Sequence, residues 1–148
     1  MDQATHKTFV YHQASTSASE TVMSKVFFER AAHTEGVEIK SYKADNGAFK
    51  TKQFMQYVAH CEQGIKFSGV GAYQQNGIAE SHIRTICNMA KSMLLNAIYK
   101  WPYHVTLDIW LFAVNMAADI QNNTFRRDNN GLTPNKAFSG VKDTDTKG

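Results

Sequence analysis

Two carboxylates stand out, because each sits where it can be presented to a metal ion. Asp45 lies in Lys43-Ala44-Asp45-Asn46-Gly47 at the expected end of a strand. Glu80 lies in Gln74-Gln75-Asn76-Gly77-Ile78-Ala79-Glu80, in the expected first turn of a long helix. Thirty-four residues separate them, room for one helix, one strand and a loop. A strand-end Asp converging with a helix-borne Glu is one way to build a phosphoryl-transfer site, because two cations roughly 4 Å apart need shared carboxylates to neutralise and hold them. Each also has a plainer role: Asp-Asn-Gly is an ordinary turn signal, and a first-turn Glu complements the helix dipole by about 0.3–1 kcal/mol.

Arg84 and Lys91 follow Glu80 at i+4 and i+11, along one side of the same helix. They serve either as ordinary helix-surface charges, with an i,i+4 pair of about 0.3–0.5 kcal/mol, or as contacts for DNA phosphates. Gln75 and Asn76 can donate to bases or phosphates, and Asn76 can equally be the helix N-cap. Tyr73 is the one aromatic beside the acidic site that is placed to stack on a displaced base.

The positioning elements follow from local patterns. Lys7–His12 is β-rich and reads as a strand. Ser17 with Glu20 forms a capping box for a helix with the apolar stripe Val22, Met23, Val26 and Phe27, ended by Gly36. A strand is expected over Val37–Asp45, a helix over Thr51–Glu62 with Phe54, Tyr57, Val58 and Cys61 on one side, and a short strand over Ile65–Val70. The glycines of Ser68–Gly77 make that stretch mobile, with a sharp turn at Gly77. Asn76–Lys100 is the strongest helix, with Ala79, Ile83, Ile86, Ala90, Met93, Leu94 and Ala97 on one face. Thr106 caps a very apolar helix through Ile120, and Trp101, Trp110 and Phe112 are expected in the core or a helix interface. Asn122–Gly131 is turn-rich, Thr133-Pro134 opens a short helix, and the tail from Val141 frays.

At 148 residues, 43% hydrophobic and 11% aromatic, the chain can bury a core and reads as one domain. A net charge of +3 is compatible with nucleic acid without requiring it. Cys61 and Cys87 have neither zinc-ligand nor disulfide-scaffold spacing, and the six His form no pair at ligand spacing. No apolar run is long enough for a membrane helix and no signal peptide opens the chain, so a soluble, intracellular protein with no membrane partner is expected.

Taken in order, Asp45-Asn46-Gly47-x-Phe49, Gln75-Asn76-Gly77-Ile78-Ala79-Glu80 with Ile83-Arg84, Ala90-x-x-Met93-Leu94-Leu95, Trp101-Pro102, and Thr133-Pro134 before Phe138-Ser139-Gly140 resemble the catalytic core of Copia-type retrotransposon integrases. The resemblance runs over nearly the whole chain. It implies an α/β, RNase H-like (integrase core) fold lacking its first two strands, a mixed sheet remnant with flanking helices, spanning 1–140 before the tail 141–148. It further implies Asp45 and Glu80 as catalytic and metal-binding residues for Mg²⁺ (or Mn²⁺), and Arg84, Lys91, Gln75 and Asn76 as DNA-binding residues. The partners implied are element-end and target DNA, with a homo-oligomer or an intact integrase as a protein partner. The intact parent would work in the nucleus or a retrotransposon particle.

Two departures from the family pattern accompany this: the spacing between carboxylates is one residue shorter than usual, and the loop before Tyr73 lacks prolines. Asp2-x-x-Thr5 matches the turn of the family's first hairpin, and Phe9-Val10-Tyr11 the strand after it. The first catalytic Asp and the zinc module of the family would then lie upstream, and the isolated chain is expected to lack strand-transfer activity. The alternative is a non-catalytic remnant that binds DNA or oligomerises through its apolar helices.

Overall fold

Residues that can satisfy a helix end locally decide where three of the described α-helices begin. The computed structural model describes residues 1–45, 47–67 and 73–140, with residues 73–76 described by their backbone alone. Among these, α1 (Ala18–Thr34) starts at Ser17, whose hydroxyl accepts from the Glu20 N–H. The Glu20 carboxylate reaches back to the Ser15 N–H at 2.9 Å instead of to Ser17. α2 (Lys52–His60) is capped by Thr51 and α5 (Pro134–Ser139) by Thr133, each hydroxyl accepting a backbone N–H three residues on. Gly36 and Gly140, with φ +75° and +69°, take the left-handed conformation just past α1 and α5.

Two short strands, β1 (Ser41–Ala44) and β2 (Gly64–Phe67), pair in parallel, with Ser41 opposite Gly64 and Ala44 opposite Phe67. A parallel pair needs a crossover, and α2 supplies it. The long helix α3 covers Tyr73–Lys100, and α4 covers Trp110–Asn122 after one 3₁₀ turn at Leu107–Ile109. The chain is therefore mixed α and β and mostly helical, its sheet consisting of one parallel pair among the described residues.

Two compact units divide the described residues, one over Tyr11–Ile78 and the other formed by Met1–Val10 with the described residues 79–140. In the Tyr11–Ile78 unit α2 buries Phe54 and Val58, as its pattern predicts. Burying each side chain contributes roughly 1.5–3 kcal/mol. Phe49 meets Phe54 edge-on with ring centroids 5.4 Å apart.

The inward face of α1 differs from the expected stripe. Met23 and Phe27 are exposed, while Thr21, Lys25 and Ala32 are buried. Lys25 is only 3% exposed, yet it is well compensated. Its Nζ donates to both Glu29 carboxylate oxygens at 2.9 Å and lies 5.4 Å and 4.7 Å from the ring centroids of Tyr42 and Tyr57. Tyr42 donates to Glu29 Oε1 at 2.5 Å, and Gln63 Nε2 donates to the same oxygen and to the Ile39 carbonyl. Burial alone would raise the Glu29 carboxyl. Hydrogen bonds from Tyr42, Lys25 and Gln63, with the Lys25 charge, outweigh it and hold the group below its ordinary value. Burial and the bond to Glu29 push the Tyr42 phenol up.

In the other unit Ile86, Ala90 and Leu94 of α3 pack on Ala113, Ala117 and Ala118 of α4. The buried face of α4 is made of alanines, and its large side chains turn outward. Phe112 is 73% exposed and Met116 55%; Trp101, Trp110 and Ile83 are exposed too. Phe112, Trp101, Trp110 and Ile83 are therefore not part of the core, a correction to the expectation; on α4 the alanines hold the buried positions instead.

The expected strand Lys7–His12 forms no ladder. Thr8 instead pairs with the buried side chain of Asn122. Asn129 Nδ2 donates to the Thr5 carbonyl at 2.8 Å, Lys7 Nζ to Asn135 Oδ1, and Phe9 stacks edge-on with Phe138 at 5.6 Å. Asp2 forms the expected turn, its Oδ2 accepting from the Thr5 N–H and hydroxyl at 2.8 and 2.7 Å.

Candidate functional site

Asp45 follows β1 directly and is exposed. Its Oδ1 accepts from the Gly47 N–H at 3.2 Å, the arrangement expected of a turn-capping Asp. One carboxylate oxygen therefore has a modest backbone bond, which keeps the side chain at the turn and orients it. A Cβ on Gly47 would lie 3.3 Å from that oxygen, so glycine gives the carboxylate room.

Glu80 is exposed on α3. The helix starts at Tyr73, three residues before the expected start, so Asn76 is not its N-cap and Gly77 makes no sharp turn. Glu80 stands in the third turn, not the first. The stabilisation of an anion by helix-end dipoles fades within the first turn, and Glu80 lies beyond it. The side chains of Gln75, Asn76 and Tyr73 lie outside the described residues, as do Asn46 and the expected loop over 68–72.

Arg84 and Lys91 are exposed on α3, seven residues apart and so nearly aligned. Glu80, Arg84 and Lys91 form no ion pair among the described residues. The i,i+4 pair that would give Glu80 and Arg84 a purely structural role is not made.

Two residues beyond Glu80, His82 points elsewhere, its Nε2 hydrogen-bonded to Thr8 Oγ1 at 2.7 Å. Burial, then the positive charges of Arg126 and His6 and the terminal amine, push its imidazole below the ordinary value. Arg126 in turn grips Asp128 through two N–H groups at 2.9 and 2.8 Å, and His6 Nε2 lies 3.1 Å from the same carboxylate. This polar set fastens the Met1–Val10 segment, and pattern reading missed it because its members come from distant parts of the chain.

Asp45 belongs to the Tyr11–Ile78 unit and Glu80 to the other; each carboxylate by itself is a hard oxygen donor, the ligand type that suits Mg²⁺ or Mn²⁺. No group of three or more His, Cys, Asp or Glu side chains able to hold a metal occurs among the described residues. Among the described residues no helix is long and apolar enough to cross a membrane. No family model and no curated protein matches this chain.

Proposed function

We propose that this chain is part of a retrotransposon integrase catalytic core of the Copia type, on an RNase H-like fold, whose intact parent joins DNA 3′ ends to target DNA by Mg²⁺-assisted transesterification. The observation that carries the reading is the ordered motif series, in which Glu80, Arg84 and Lys91 stand exposed on α3 without ion partners among the described residues. Asp45 and Glu80 are the residues that would hold Mg²⁺ or Mn²⁺. The ion, when bound, neutralises charge developing on the phosphoryl oxygens. Arg84 and Lys91 hold phosphates of the DNA backbone and so fix its register. Gln75 and Asn76 complete the DNA-binding set.

Paramagnetic Mn²⁺ tests the metal assignment. Amide NMR signals around both Asp45 and Glu80 should broaden at low Mn²⁺, and the broadening should vanish in Asp45→Asn and Glu80→Gln. Broadening centred on other carboxylates would remove both residues from the assignment.

A second reading, a non-catalytic association module, is favoured by one feature of α4. Phe112, Met116 and Ile120 repeat every four residues along one exposed side, an apolar row of the kind that marks protein contacts. If this row mediates association, Phe112→Glu should make the protein monomeric in sedimentation without lowering its Tm. A monomeric wild type would discard the idea.

A further inference from the structure

No residue between Glu80 and Asp108 is acidic, whereas Arg84, Lys91 and Lys100 all fall in that stretch. Arg84, Asn88, Lys91, Leu95 and Tyr99 follow one another on α3 at steps of three and four, so they share one side of the helix, and all are exposed. From Arg84 to Tyr99 the helix rises about 23 Å. Its far end is aromatic: Tyr99 is 87% exposed and Tyr103, in the turn that follows, 93%. Neither tyrosine makes a hydrogen bond or ring contact among the described residues, and Lys100 makes no ion pair there. The turn that carries them is nonetheless well built. The Trp101 N–H donates to the Ala97 carbonyl, and the His104 and Val105 N–H groups both donate to the Trp101 carbonyl. Two large aromatic rings are thus held out on an ordered backbone, at the end of an acid-free run of charge.

We propose that Tyr99 and Tyr103, with Lys100 between them in sequence, form a stacking site for the unpaired bases of single-stranded DNA. The inference rests on the nucleic-acid reading above and deepens it by adding the form of DNA held beyond Lys91. A base inside a duplex has its faces covered by its neighbours, whereas every unpaired base offers a π-face to an exposed aromatic ring. Lys100 supplies a point charge for the phosphate beside a stacked base. A tyrosine fixes only two torsions on binding, and the ordered turn has already fixed the backbone, so little conformational freedom is lost. The same rings would offer apolar area to a neutral protein surface, but the acid-free run of cations leading to them complements a polyanion.

The experiment measures fluorescence anisotropy with three labelled probes: a blunt duplex, the same duplex with a short single-stranded thymidine tail, and that duplex with an abasic tail of equal length. The thymidine tail should tighten binding by wild type and the abasic tail, which keeps the phosphates and lacks the bases, should not. Tyr99→Ala and Tyr103→Ala should each weaken binding of the thymidine-tailed probe by roughly 5- to 140-fold, the range for one stacked base. Both should bind the blunt duplex as wild type does, with Tm unchanged, and Tyr99→Phe should retain most of the tail affinity. Equal binding of the two tailed probes, or wild-type affinity in both Ala variants, would overturn the inference while leaving Arg84 and Lys91 standing. A lowered Tm in Tyr99→Ala would overturn it by making the ring structural. Conversion of a wild-type dimer to monomer by Tyr99→Ala in sedimentation would overturn it in favour of a protein contact. A wild type that binds none of the three probes would overturn the nucleic-acid reading with it.

Discussion

Asn122 exchanges both amide hydrogen bonds with the backbone of Thr8, its Oδ1 accepting from the Thr8 N–H at 2.9 Å and its Nδ2 donating to the Thr8 carbonyl at 2.8 Å. A neighbouring antiparallel strand would make the same two bonds to that residue. One buried side chain at the end of α4 thus replaces a ladder and satisfies backbone groups that would otherwise be orphaned.

Asn122→Ala should therefore cost about 1–3 kcal/mol, the usual penalty for leaving a buried polar group unsatisfied. Urea unfolding measures the loss, and amide exchange should show the Thr8 N–H unprotected. Asn122→Asp, which keeps the acceptor and loses the donor, should retain part of that protection. Unaltered exchange at Thr8 in the Ala variant would mean the pairing is not what orders this segment.

Lys25→Met keeps much of the side-chain volume but strands Glu29 in a partly buried site. Removing one partner of such a pair costs about 3–5 kcal/mol; the remaining bonds from Tyr42 and Gln63 place the expected loss at the low end of that range. The double variant Lys25→Met/Glu29→Gln should recover part of it. An additive double-mutant cycle would show that the two side chains do not couple.

Acid should destabilise the protein in two stages. The folded-state pKa of His82 is lowered, so the unfolded chain binds the extra proton first, and stability declines as pH falls below about 6.5. Glu29 also has a lowered folded-state pKa; its contribution is fully present above the ordinary carboxyl value near 4.3 and is lost as pH falls through the folded value. Tm measured against pH should lose the first stage in His82→Gln and the second in Glu29→Gln. A profile identical to wild type in either variant would contradict the corresponding assignment.

Arg84→Ala and Lys91→Ala should each reduce the salt slope of duplex binding by about 0.9, with affinity weakened evenly across sequences. Neither residue has an ion partner among the described residues, so Tm should change by little. Unchanged slopes would return both to the role of solvating the helix.

Much of the local architecture was legible in the sequence alone. Ser17, Thr51 and Thr133 begin helices, and Gly36 and Gly140 follow their ends. A cap needs only a partner three residues away, so its energetics are written in the neighbouring residues. The same holds for Asp45, whose turn bond to Gly47 is local, and for the alignment of Arg84 with Lys91, which needs only helical spacing. Tertiary structure decided the rest. Lys25 goes inward because Glu29, Tyr42 and Tyr57 together compensate its charge, and Tyr42 and Tyr57 come from other elements. Phe112 stays outward because Ala113, Ala117 and Ala118 take the contact with α3. Asn122 reads as a turn residue until Thr8, far away in sequence, brings its backbone alongside. Hydrophobic periodicity reports which residues prefer to leave water; it carries no information about which distant group can neutralise a charge, pair an amide or fill a contact, and those partners set the inward faces of this protein.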